Sequence, residues 1–406
     1  MSQVMEGVRV LELAEYVFGP AACGLLAEWG ADVIKVEHPI RGDVYRSVRW
    51  MDVPDAAIHP LFEGCNRGKR SIGLDVSAPD GHALLMELAK TADVFVTSML
   101  PSTRQKLRVD VSDLRAANPR IIYARASAYG DEGPGRDLSG FDGTVFWSYS
   151  GIAHSLTPAE FDVPLLLNTG PLGDSVSAMN LAGGISAALF HRAQTGKATE
   201  VDVSLLSSAC WSASGALNCL AAGGTLARQP LPRSGGMAGN PMVGFYRTSD
   251  RRAVCIFVLQ PSLHLRSFLE HLGRPDLLQD PKYENIERLF ENAEEAAFEF
   301  AAVFEKHPLS FWRDRLKTFS GQWAPVQTLE EIVVDEQALA NDLMLEVDAE
   351  ELKPVVGRVR GPVRFDRSSS PTRSAPEAFE HTEALLLDLG VEWDRIAELK
   401  AANVIA

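Results

Sequence analysis

Through the first two hundred residues, short apolar runs alternate with longer stretches of helical character. The runs at 8–13, 32–36, 71–76, 93–97 and 120–126 read as strands. Residues 20–29 read as a helix stopped by Gly30, and another helix begins at Pro79, whose fixed φ suits a first helical turn. Strands spaced by helices in this way predict βαβ units. The expected fold is α/β, with a Rossmann-like, doubly wound, mostly parallel sheet in a large domain.

Residues 175–193 form a run rich in Ala, Gly and Ser, which predicts a buried helix that neighbours approach closely. A strand at 199–203 and a second apolar helix at 204–222 follow. Between 223 and 244 the character changes, with paired glycines and repeated prolines that read as a crossing between lobes ending in a glycine loop. Residues 245–259 predict a hairpin turning at Ser249 and Asp250, and helices are expected near 261–272, 286–307 and 309–319. These make a smaller α+β domain. Residues 355–365 are strand-like, 367–376 are a polar connection, and helices at 381–389 and 393–401 close the chain. The expected division is 1–222 for the first part of the large domain, 223–244 for the linker, 245–325 for the small domain and 326–406 for the return.

Composition narrows the function. The 406 residues carry 39 Lys and Arg against 54 Asp and Glu, a net charge of −15, which argues against broad binding to nucleic-acid phosphates. No secretory pattern opens the chain and no apolar run reaches membrane-span length, so a cytoplasmic location with no membrane partner is expected. The five cysteines are dispersed without a CxxC pair, and the nine histidines lack ligand spacing. Reduced thiols and no metal are expected. The first strand leads into Ala14-Glu-Tyr-Val-Phe-Gly-Pro20, with a single glycine, so the G-x-G-x-x-G of a dinucleotide site is missing.

One carboxylate stands out. Asp174 lies between Gly173 and Ser175, where irregular sequence gives way to the small-residue helix. Taken locally, it either caps that helix or serves as a nucleophile beside a glycine that lets substrate come close.

Taken in order, several segments resemble the class III CoA-transferases and the related α-methylacyl-CoA racemases. They are residues 7–13, Gly19-Pro20, 26–37, Gly42-Asp43 with Arg46, 66–75, 92–96, Asn118-Pro119, Tyr129-Gly130 with Gly133-Pro134, 173–175, 192–197 and 201–204. The resemblance runs over nearly the whole chain, and order and spacing carry it. It places the family's nucleophilic aspartate on Asp174. It implies a thioester attacked by Asp174 to give an aspartyl anhydride and CoA thiolate. The thiolate then attacks the aspartyl carbonyl, and an acceptor acid displaces it. A carboxylate with an ordinary pKa near 4 is expected to be ionised for this without a base. The same resemblance implies an interlocked homodimer, and coenzyme A as part of the substrate rather than a resident cofactor.

For coenzyme A the resemblance points to Val17, His38, the run Leu74, Asp75, Val76 and Ser77 at the adenine end, Ser98 and Met99, and Lys106 with Arg104 near the phosphates. The match is uneven. Lys106 stands where the family has arginine, losing the bidentate fork. Thr97-Ser98-Met99 replaces the usual Glu-Asn-aromatic, and His38 replaces a more basic residue. Gly235, Gly236 and Gly239 are expected to supply N–H donors to an oxyanion and to shield the anhydride. Two alternatives stay open: a racemase-type isomerase and a non-catalytic acyl-CoA binder. The racemase needs a histidine in Gly-His-Asp, where this chain has Gly140-Phe141-Asp142. Phenylalanine carries no proton.

Overall fold

Alternate residues of strand β1 (Arg9–Leu13) face opposite ways, and both directions are apolar. Val10 joins one core, while Leu11 and Leu13 join another. The same division repeats in β2 (Asp32–Glu37), with Val33 against Ile34 and Val36, and in β4 (Val94–Thr97), with Val94 and Val96 against Phe95. Strands buried on both faces need layers on both sides, which is the setting of parallel sheets. Together with β3 (Arg70–Gly73), β5 (Ile122–Ser127) and β6 (Glu200–Ser204) they form a six-stranded sheet in the order β3-β2-β1-β4-β5-β6. Every pairing in it is parallel.

The computed structural model describes residues 3–48, 59–165, 170–230, 236–237, 239–344, 359–366 and 373–406. The chain divides into two units. Met1–Ser155, Leu165–Leu226 and Leu339–Ala406 form the first, and Leu156–Pro164 with Ala227–Ala338 the second.

In the first unit, α1 (Phe18–Glu28) carries Phe18, Ala22, Cys23 and Leu26 into the core on Val10's side of the sheet. Close packing there depends on missing side chains. A Cβ on Gly24 would lie 2.5 Å from the carbonyl oxygen of Cys65, in α2 (Pro60–Asn66). Helices α3 (Pro79–Thr91) and α5 (Val111–Ala117), the latter preceded by α4 (Pro101–Leu107), cover the opposite face. The C-terminal helices Thr382–Asp388 and Trp393–Ala401 add Leu385, Leu386, Ile396 and Leu399 to that second core.

After the short α6 (Ile152–Leu156) comes α7 (Leu172–Thr195), the small-residue helix. It buries a single stripe comprising Gly173, Asp174, Ser177, Ala178, Leu181, Ala182, Ile185 and Ala188. Its other face, with Ser175, Gly183, Ala187 and Phe190, is exposed in the single chain, so the expectation of general burial holds for one side only. The apolar helix expected over 204–222 is two helices, α8 (Leu205–Ser212) and α9 (Ser214–Ala221). Ser204 caps the first in a capping box with Ser207. The break falls at Ala213, between two serines and ahead of Gly215, where helix propensity is poor.

The second unit is built on an antiparallel sheet in the order β10-β9-β8-β7. Its strands are β7 (Gly236–Met237), β8 (Asn240–Arg247), β9 (Ala253–Phe257) and β10 (Trp323–Pro325). The expected hairpin at 245–259 is therefore β8 and β9, with β8 beginning five residues earlier, at Asn240. Helices α10 (Pro261–His271), α11 (Ile286–Glu291), α12 (Ala293–Phe304) and α13 (Leu309–Arg315) pack an aromatic core of Tyr246, Phe268, Phe300, Phe304 and Trp312. The helix expected over 286–307 is interrupted at Asn292, whose side chain bonds back to the Arg288 carbonyl. Of the strand-like 355–365, residues 355–358 lie outside the described residues, and Val359 makes an isolated bridge to Met344. Residues 367–372 of the polar connection also lie outside them.

Candidate active site

The sheet order turns back on itself between β1 and β4. In open parallel sheets, ligands favour the crevice beyond the carboxyl ends of the strands at such a point. Several residues anticipated for coenzyme A sit on that edge. Val17 is the N-cap residue of α1, and the Ser98 hydroxyl accepts the Glu15 N–H at 3.2 Å. His38 follows β2, and Asp75 lies close enough to feel its charge. Asp75 accepts the Ser77 hydroxyl and N–H at 2.6 and 2.9 Å, which holds its carboxyl below the usual range and shapes the turn into α3. Leu74 and Val76 are buried in the second core, so only their backbone can meet a ligand. Met99 lies half-buried after β4.

The phosphate candidates separate. Arg104 is 2% exposed and already engaged: it donates to the Met99 carbonyl at 3.2 Å and to Asp131 at 2.7 Å, with Asp110 at 3.4 Å. The structure gives it the task of tying α4 to the loops around it. Lys106, two residues on, is exposed. Gly236 and Gly239 belong to the second unit, Gly239 at φ 88°, and Gly235 lies outside the described residues.

Asp174 does not cap its helix. It is the third residue of α7, and the capping acceptor comes from elsewhere in the chain. Asp142 Oδ2 takes the N–H groups of Gly173 at 2.7 Å and Asp174 at 3.1 Å. Those are orphan donors of a helix start, and an acidic acceptor suits the positive end of the helix dipole. The Asp174 carboxyl group is thereby spared that job. Among the described residues nothing hydrogen-bonds to its side chain.

Burial first, and then the Asp142 charge, push the Asp174 carboxyl up to about 7. The expectation of an effortlessly ionised carboxylate is thus corrected. The local sequence shows neither the burial nor the second carboxylate. Burial raises Asp142 as well, with the Asp174 and Gly173 N–H groups and the Trp147 side chain pulling the other way. Gly173 also has a packing role, because a Cβ there would lie 2.2 Å from Cγ of Phe146 and the glycine makes room for that buried ring.

Phe146, Tyr45 and Cys65 lie near this carboxylate, and a buried charge network adjoins Cys65. Tyr45 and Cys65 both feel the Asp174 charge. Burial, reinforced by that charge, raises the Tyr45 hydroxyl and pushes the Cys65 thiol up to about 12. Below them Lys35 pairs with Glu12 at 2.9 Å and Asp43 at 2.7 Å, and Lys69 pairs with the other oxygen of Glu12 at 2.6 Å. Glu37 receives Arg46 through both oxygens, at 2.8 and 2.7 Å. Three acids therefore balance three bases. Burial alone would depress Lys35, but Glu12, Asp43 and Glu37 outweigh it and hold the ammonium charged. The network ends on Asp43 Oδ1, which accepts the N–H groups of Tyr45 and Tyr16.

Asp142, Tyr16 and Tyr45 were not singled out by the sequence reading. Asp142 stood next to the Phe141 that drew attention, and its acidic type 32 residues ahead of a helix start carries no local signal. All five cysteines are free thiols. Among the described residues no His, Cys, Asp and Glu group is arranged to hold a metal ion, and no helix is long and apolar enough to cross a membrane.

Comparison with known proteins gives a consistent picture. The model of CoA-transferase family III matches residues 5–382. The chain is 28% identical over 405 residues to the (R)-2-hydroxy-4-methylpentanoate CoA-transferase of Clostridioides difficile, covering 99% of each. It is 29% identical over 413 residues to the cinnamoyl-CoA:phenyllactate CoA-transferase of Clostridium sporogenes, covering 98% of this chain and 96% of that one. Among solved structures, Rv3272 from M. tuberculosis superposes with a TM-score of 0.81 at 28% identity, covering 95% of this chain and 99% of that one. A CAIB/BAIF family protein from Brucella suis also gives 0.81, at 25% identity, covering 96% of this chain and all of that one.

Proposed function

The chain belongs to CoA-transferase family III, and from that premise we propose that it moves coenzyme A from an acyl thioester to a carboxylic acid through covalent intermediates on Asp174. The observation that carries this is the division of labour at the head of α7. Asp142 satisfies the helix N–H groups, and Asp174 presents an uncommitted carboxyl group beside the carboxyl edge of the sheet. A desolvated carboxylate is a stronger nucleophile than a hydrated one, and its ionised fraction at neutral pH is still about half.

An Asp174 oxygen adds to the thioester carbonyl and the CoA thiolate leaves, giving an acyl–aspartyl anhydride. The thiolate then adds to the aspartyl carbonyl, expelling the donor acid and leaving an aspartyl–CoA thioester. An acceptor carboxylate reverses these two steps in its own favour. Each carbonyl addition builds an oxyanion that needs N–H donors. Thioester energy is conserved throughout, so coenzyme A enters and leaves as part of the substrates. Phe141, in the position a racemase would give to histidine, weighs against proton shuttling.

The same reading makes the working unit an interlocked homodimer. Exposed Phe190 on α7 and Trp211 on α8 (75% exposed) are large apolar groups of the kind a second copy covers. The decisive experiment is incubation with acyl-CoA followed by hydroxylamine and peptide mass spectrometry. A hydroxamate on Asp174, absent in Asp174→Ala together with turnover, is expected. Full transfer by Asp174→Ala would refute the covalent route.

A further inference from the structure

The turn between β1 and α1 is held in a costly shape. Tyr16 has φ 67°, a left-handed value that a bulky side chain adopts only where its surroundings over-determine it. Two sets of contacts impose it. Asp43 Oδ1 accepts the Tyr16 N–H at 3.3 Å and the Tyr45 N–H at 2.9 Å, while Asp43 Oδ2 is pinned by Lys35 at 2.7 Å. The Tyr16 ring in turn meets Phe141 edge to face, with centroids 5.0 Å apart, and lies 6.4 Å from the Tyr45 ring.

Both neighbours are tied to Asp174. Phe141 directly precedes Asp142, which holds the Asp174 N–H, and Tyr45 feels the Asp174 charge. Phe141 nevertheless belongs to none of the hydrophobic cores and is 52% exposed. The Tyr16 ring packs against the small core of Val17, Tyr45, Phe62 and Cys65, but no core gives the half-exposed Phe141 ring a reason to sit on it. A ligand that covers the ring does.

We infer that Tyr16 and Phe141 form an apolar shelf for the acyl group, selecting thioesters with an aromatic or bulky branched acyl chain over acyl groups of one to three carbons. This deepens the Asp174 transferase reading and rests on it. Removing one large apolar contact from such a pocket changes discrimination by about tenfold or more.

The test compares the rate of Asp174 acylation by 3-phenylpropanoyl-CoA and by acetyl-CoA in the full-length protein. Wild-type is expected to favour the phenyl donor in kcat/KM by about tenfold or more. Phe141→Ala should collapse that ratio, chiefly through KM for the phenyl donor. Tyr16→Gly should collapse it too, with the relief of the left-handed φ offsetting part of the packing lost against Tyr45. Tyr16→Phe should keep it. Acylation with no preference, or a preference that survives both Phe141→Ala and Tyr16→Gly, overturns the shelf alone. A chain that no donor acylates loses the transferase reading and the shelf with it.

Discussion

Asp174→Asn should make the protein more stable while abolishing transfer, and the size of the gain should depend on pH. The side chain is 8% exposed and its carboxyl is raised from the ordinary 3.8 to about 7. An acid raised on folding binds its proton more tightly in the folded chain. Stability is therefore greatest below the unfolded value, falls as pH climbs from about 4 to about 7, and is flat above that. Three pH units at about 1.4 kcal/mol each put the loss at about 4 kcal/mol. Asparagine keeps the shape of the side chain and never ionises, so it escapes the loss. Thermal melts of both proteins at pH 4, 5.5, 7 and 8 should show little difference at the lowest pH and a gap of several degrees at the highest. A gap that stays constant across that range, or an asparagine variant less stable at pH 8, would refute the account of a desolvated carboxylate facing a second one. The rate of acylation of the wild-type should rise over the same window, with its midpoint near 7.

Four further outcomes follow from the same geometry. Asp142→Ala should cost about 1 kcal/mol through the lost cap. Asp142→Asn, which removes only the like charge, should move the acylation midpoint to lower pH, as read from single-turnover labelling. Lys35→Met leaves Glu12 and Asp43 facing each other without their buried ammonium, and should cost about 3–5 kcal/mol in urea unfolding. Gly173→Ala places a methyl 2.2 Å from the Phe146 ring. It should destabilise by about 1–3 kcal/mol, and the double variant with Phe146→Ala should cost less than the two separate losses combined, as a calorimetric double-mutant cycle would show.

The sheet was legible because burial on both faces writes itself into short apolar runs. Residues 8–13 and 32–36 fall within a residue of β1 and β2, and a helix does start at Pro79. Ends were less legible where polar side chains decide them. The run at 71–76 leaves the parallel sheet after Gly73: Leu74 still donates to the Glu37 carbonyl but bridges to Ile405, and Asp75 then bonds Ser77 ahead of α3. The single helix read over 204–222 misjudged a Ser-Ala-Ser-Gly break that apolar content conceals.

Residue type and order by themselves determined the parallel α/β layering, the place of Asp174 at a helix start, and the family to which the chain belongs. They did not determine what state that carboxylate is in. Asp142 arrives from 32 residues away to take the helix N–H groups, and Lys35 and Asp43 meet from opposite ends of β2 and its following turn to fix Tyr16. Desolvation, like-charge repulsion and hydrogen-bond competition all depend on distance through space. Only the tertiary structure sets those distances, and it makes a residue that its local sequence offered as either a cap or a nucleophile the one that is capped.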